Sequence, residues 1–290
     1  MHYLKGTIFS AKGFLTLVAL SYSLIAYSQN KDLLWKVSGN GLTRPSYIYA
    51  TLHTNDTKAL ELKEPVQHAL DSSEVFITET FPDTAEAPVA VAQLTGDREY
   101  SLNAYLAKAD YTDLQKILKE EYHLQLSNLM KVKPIFLYLV LLEEPESDIK
   151  PFMEEHLYKL AEKKGKKLVA LENSKDLAAA LDSINLGEQA DLLKTAIKYH
   201  KKGLRDDKKL LQYYLACDMD KTLQFLQKYN YPENLFRILI RNNDVALTDH
   251  IDAIIKQQPA FVAIGIAHLA GEGNILQLLE KQGYKVARVK

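Results

Sequence analysis

Phe261-Val262-Ala263-Ile264-Gly265-Ile266-Ala267-His268-Leu269-Ala270-Gly271 decides how the rest of the chain is read. An unbroken apolar run closed by glycine reads as a strand buried on both faces, as in an α/β sheet. The polar residue just past the carboxyl end of such a strand stands where these sheets bind ligands. Here that residue is His268. The other strands are therefore read for residues that match it.

Working outward, Ile275-Leu276 and Leu278-Leu279 predict a helix, Gly283 caps it, and Tyr284 to Ala287 form a last strand. Towards the N-terminus, Lys167 to Glu172 and Glu74 to Glu79 are strands that end in a carboxylate. Ser46 to His53 is a strand that ends in a histidine, and Leu33 to Val37 opens the fold. Between them the apolar spacing of three and four is helical over Leu102 to Leu142, with Pro134 placed to open a helix, and over Phe152 to Lys164, which Gly165 ends. From about 174 to 257 the pattern is helical throughout, broken chiefly at Gly187, Gly203 and Pro232. The expected architecture is one α/β domain over 29–290 with a helical insert at about 102–257. No repeat or low-complexity linker divides it.

Lys5 and Lys12 precede the apolar run Phe14 to Leu20, which continues through Leu24-Ile25-Ala26 to small residues at Ala26 and Ser28. This is the pattern of a secretory signal peptide over 1–28, cleaved after Ser28; the alternative is an uncleaved anchor helix, for which the run is short. The expected location is periplasmic or extracellular, with no stable membrane anchor after cleavage. Loss of the two lysines takes the formal charge from −1 to −3, which excludes an electrostatic attraction to nucleic acid. The single cysteine, Cys217, forms no internal disulfide and reads as a half-buried helix residue.

Four strands thus end in His53, Glu79, Glu172 and His268. If they are parallel and adjacent, all four lie on one edge of the sheet. Two imidazoles and one or two carboxylates suit a divalent ion such as Zn, Mn or Co, with a position open to water. A metal of this kind lowers the pKa of its water towards neutrality and so makes a nucleophile. The plainer reading takes the histidines as hydrogen-bonded strand ends and the acids as exposed loop starts. His68, His123, His156, His200 and His250 fall in Lys- and Glu-rich helical patterns and read as surface. No HExxH helix, phosphate-binding glycine loop or Gly-x-Ser-x-Gly elbow occurs.

At these residues the sequence resembles the TraB/PrgY/GumN family, which includes the TIKI metalloproteases and carries two Gly-x-x-His motifs with a Glu and an Arg between them. The resemblance runs through Leu33-Leu34-Trp35-Lys36-Val37, Pro45-Ser46-Tyr47-Ile48-Tyr49, Ala50-Thr51-Leu52-His53, Glu79, Lys133-Pro134, Gly165 to Glu172, Arg241-Asn242 and Gly265-Ile266-Ala267-His268. Ala50 stands where the first motif has glycine, which is costly only if the position needs a positive φ or close backbone approach. The resemblance implies an EreA/ChaN-like α/β sheet core, as in erythromycin esterase, with a large helical insertion. It also implies metal-dependent hydrolysis of a peptide or amide bond.

On that reading His53 and His268 bind or orient the metal, and Glu79 is a further ligand or the general base. Arg241 stabilises an oxyanion or substrate carboxylate, or else braces the insert against the sheet. Glu172 and Asn242 are secondary, as supports. The rivals are a non-catalytic protein that sequesters a peptide or small molecule in the same cleft, and a metal-independent esterase-like enzyme.

Overall fold

The computed structural model describes residues 33–81, 94–96, 100–142, 151–201, 207–229 and 232–289. The expected signal peptide lies outside them. Strands β1 (Leu34–Gly39), β2 (Ser46–Thr51), β3 (Val75–Thr78), β4 (Lys167–Ala170), β5 (Ala260–Gly265) and β6 (Tyr284–Arg288) form one sheet in the order β4-β3-β5-β2-β1-β6. The first four strands of that order are mutually parallel. β1 runs antiparallel to β2 and to β6, which closes one side.

The register explains why the strand ends meet. Thr51 pairs with Gly265, Thr78 with Ala263 and Ala170. Glu79 and His53 therefore leave the sheet on the same edge as the turn that follows β5. The expected adjacency of the four strands is thus present. β5 lies centrally, and its residues Ala260 to Ile264 are all buried, as a strand covered on both faces must be.

Helices α1 (Thr57–Leu60) and α2 (Glu64–Ser72) link β2 to β3. α2 turns Val66, Ala69 and Leu70 inward, the three-and-four spacing of a half-buried helix. The insert begins with α3 (Lys108–Glu120) and α4 (Pro134–Leu142), followed by α5 (Met153–Lys163). Pro134 does open α4, and Gly165 leaves α5 at φ +67, a conformation that glycine adopts without strain. β4 then rejoins the sheet as its outer strand, so the insert is interrupted rather than continuous.

After β4 come α6 (Ser174–Asp182), α7 (Leu186–Lys201), α8 (Asp207–Leu215), α9 (Met219–Tyr229), α10 (Glu233–Phe236), a π-helical turn over Arg237–Arg241, and α11 (Asn242–Ile255). The short α12 (Ile266–Leu269) carries His268, and α13 (Ile275–Lys281) precedes β6. Gly187 sits inside α7, so the expected break falls earlier, at Ser183 to Asn185. Cys217 lies just past α8, half-buried at φ +55, rather than within a helix.

Two apolar clusters hold the domain. One lies on the sheet and includes Phe76, Val262, Ile264, Leu157 and Ile251. The other is internal to the helices, with Leu114, Leu118, Ile135, Tyr138 and Leu193. The insert therefore has a core of its own, which rests on burial of roughly 1.5–3 kcal/mol per large side chain. Among the described residues no helix is long and apolar enough to cross a membrane.

Candidate active site

His268 is buried, and its position is fixed from two sides. Its Nδ1 donates to Asp244 Oδ1 over 2.7 Å. Asp244 is itself fully buried at the start of α11, and its other oxygen accepts from Arg241 at 2.6 Å. Arg241 also donates to the carbonyls of Ala267, at 3.4 Å, and Ala270. Its guanidinium lies 4.8 Å from the centroid of the Phe236 ring. The arginine thus laces the π-helical turn to the segment that bears His268. Such turns are frequent at functional sites.

His268 Nε2 faces Glu79 Oε2 at 3.9 Å. Glu79 Oε1 accepts the backbone N–H of Gly265 at 2.5 Å, which aims the carboxylate along the strand ends. A β-carbon on Gly265 would stand 3.1 Å from that oxygen. This close approach is the physical reason for glycine there. Burial works to strip the proton from His268, but the Glu79 charge and the Asp244 hydrogen bond outweigh it and hold the imidazole above the usual histidine range.

Glu172 follows β4, and its N–H donates to the Glu79 carbonyl over 2.9 Å. Its carboxylate accepts from Asn243 Nδ2. Burial pushes this carboxyl up, Asn243 opposes, and the neighbouring Glu79 charge adds to the rise. Asn242 is exposed at the helix start, and the supporting amide is that of the next residue.

His53 is held differently. Its side chain is 56% exposed, its ring stacks on Phe152 at a centroid distance of 4.0 Å, and its Nδ1 lies 3.4 Å from Glu154 Oε2. Burial works to raise the Glu154 carboxyl, but the interactions with His53 prevail and hold it below the ordinary value. The sequence grouped His53 with Glu79 and His268. The structure pairs Glu79 with His268 and turns Nδ1 of His53 to a helix acid.

Among the described residues no group of three or more His, Cys, Asp or Glu side chains is arranged to hold a metal. What is arranged is a pair. With Nδ1 committed to a carboxylate, His268 presents Nε2 in the tautomer that metal-binding histidines use, beside the Glu79 oxygen. An imidazole Nε2 and a carboxylate oxygen are donors of the kind a divalent ion takes, and the structure holds these two side by side, with Nδ1 of His53 turned to Glu154.

Ala50 lies within β2, buried and opposite Ile264, and φ there is not positive. Its N–H donates to Leu33 O at 2.9 Å, and its carbonyl accepts from Tyr214 of α8 at 2.8 Å. Alanine in place of glycine therefore strains nothing in the first motif.

Sequence reading missed Asp244, Asn243 and Glu154. Each sits in a helix, where an acid or amide gives no signal of facing inward. The three-residue spacing of Arg241 and Asp244 was the one clue, since residues so placed share a helix face.

No match was found among curated proteins or among solved structures. The TraB/PrgY/gumN family pattern matches residues 33–288, a span that holds all six strands and every site residue named above. With both histidine segments on one sheet edge and Glu79 and Arg241 tied to the second of them, the chain belongs to the TraB/PrgY/gumN family.

Proposed function

We propose that this chain is an exported, divalent-metal-dependent hydrolase of peptide or amide bonds. The observation that carries the reading is the line Asp244–His268–Glu79 at the carboxyl edge of four parallel strands. Asp244 keeps the proton on Nδ1, so His268 offers Nε2 towards the space beside Glu79. Gly265 N–H holds one oxygen of Glu79 and leaves the other facing His268, where it serves as a ligand or as the general base that takes a proton from water. Arg241 is committed to Asp244 and two backbone carbonyls, which supports a bracing role over direct contact with an oxyanion. A bound Mn, Co or Zn ion, held through His268 and Glu79, would supply a nucleophilic hydroxide at neutral pH. The N-terminal Lys5, Lys12 and apolar Phe14 to Ala26 support export to the periplasm or beyond.

The purified chain incubated with a peptide library and each ion in turn tests this. Cleavage that is abolished by chelation and by His268→Ala is expected. Cleavage that survives chelation would move the chemistry to the buried Asp–His pair acting alone. Tight peptide binding without turnover would leave a sequestering protein.

A further inference from the structure

Glu154 and Phe152 have no part in the reading above, yet they grip His53 from one short stretch. Met153 N–H donates to the Thr54 carbonyl at 3.0 Å, which pins the start of α5 to the segment just after His53. On either side of that anchor, Phe152 lies parallel to the imidazole, 11° between planes, and Glu154 reaches Nδ1 at 3.4 Å. The ring plane is set by one contact and the rotation about it by the other.

Glu154 has a reason to hold that pose. Among the described residues its Oε2 and the hydroxyl of Thr51 are buried atoms with no hydrogen-bond partner. An ionised oxygen so placed favours a proton on the ring nitrogen that faces it, Nδ1 of His53 at 3.4 Å. It also sits in the first turn of α5, where the helix field favours negative charge.

We propose that Glu154 is the positioning residue for His53, selecting the tautomer with hydrogen on Nδ1 and placing the lone pair on Nε2. Asp244 does the same for His268 from α11. Both histidines then present the same nitrogen, each directed by a carboxylate from the helical part of the chain. The mature face of the site is thus set by helices that the two histidine motifs do not contain. The assignment extends the site to α5 and does not depend on which bond, if any, is hydrolysed.

The full chain labelled with ¹⁵N-histidine, with His53 assigned by its loss in His53→Gln, reads the tautomer directly at a pH where the ring is neutral. His53 is expected mainly as the Nδ1–H form, against the Nε2–H form that free imidazole side chains favour in water. Glu154→Ala should shift it to mainly Nε2–H. Glu155→Ala, which removes the neighbouring charge, should leave it unchanged. If Glu154→Ala fails to fold by circular dichroism, Glu154→Gln is read instead, and a fall in the Nδ1–H form is expected because a neutral amide accepts less strongly. A wild-type His53 in the Nε2–H form, or one unmoved by the Glu154 variant, overturns the proposal. Neither result bears on the peptide-cleavage assay, so failure of one reading is distinguishable from failure of the other.

Discussion

Asp244 and His268 form a buried acid–imidazole pair, 2.7 Å from oxygen to nitrogen, although 24 residues separate them in the chain. The contact joins α11, which ends the helical part, to the turn after the central strand. Arg241 backs the same carboxylate, so the aspartate serves two cations or near-cations at once. Removing it leaves Arg241 and His268 without their common partner. Asp244→Ala should therefore lower stability by about 3 kcal/mol, as for other broken buried pairs, measured by urea unfolding. Asp244→Asn keeps the shape and should fold, with metal affinity or activity down roughly 10–100-fold. Unchanged affinity in a folded Asp244→Asn would remove Asp244 from the site.

The two histidine segments predict opposite outcomes at their first positions. A β-carbon at Gly265 would press on the Glu79 oxygen at 3.1 Å, so Gly265→Ala should displace that carboxylate and reduce activity about tenfold. Ala50 is ordinary buried strand, and its β-carbon is part of the core. Ala50→Gly should cost about 1 kcal/mol in unfolding experiments and raise no activity. An increase in activity would mean that Ala50 had crowded His53 after all.

Much of this arrangement was legible in the sequence. Apolar runs ending in His53, Glu79 and Glu172, and the run leading to His268, named the four parallel strands, because side chains buried on both faces leave an unbroken apolar signature. The partners were not legible. Asp244 and Glu154 lie on helices whose other positions carry acids in solvent, and only packing separates the inward one from its neighbours. Arg241 was visible, but its role was not. Its choice between substrate and scaffold depended on where the Ala267 and Ala270 carbonyls lay in space.

Alkaline pH should loosen the edge of the sheet through Tyr284. Its hydroxyl on β6 donates to Asp252 of α11 at 2.6 Å. Burial and that carboxylate push the phenol up to about 12. A group whose folded pKa lies above its unfolded value favours folding in the protonated form. The contribution is complete below about pH 10, the ordinary tyrosine value, and is lost as pH rises towards the folded value. Tyr284→Phe should be about 2 kcal/mol less stable at pH 8, the usual scale for a hydrogen bond to a charged group, and the difference should shrink by pH 11.5. A difference that stays constant with pH would show that the bond contributes through packing alone.

Metal affinity offers the sharpest separation among the sequence-named residues. If three ligands converged, His53→Ala, Glu79→Gln and His268→Ala would weaken binding alike. The geometry argues otherwise: Glu79 and His268 face one another at 3.9 Å, whereas the His53 ring is 56% exposed and stacked on Phe152. Isothermal titration with Mn should find Glu79→Gln and His268→Ala weakened by at least about 100-fold, the upper end of what even orienting residues cost. His53→Ala should lose clearly less, because its removal leaves the Glu79–His268 pair and its Asp244 support in place. Equal losses at all three positions would mean that the ion draws His53 into its shell on binding. Nε2 of His53 would then be the ligating nitrogen, with Nδ1 kept on Glu154 as that of His268 is kept on Asp244.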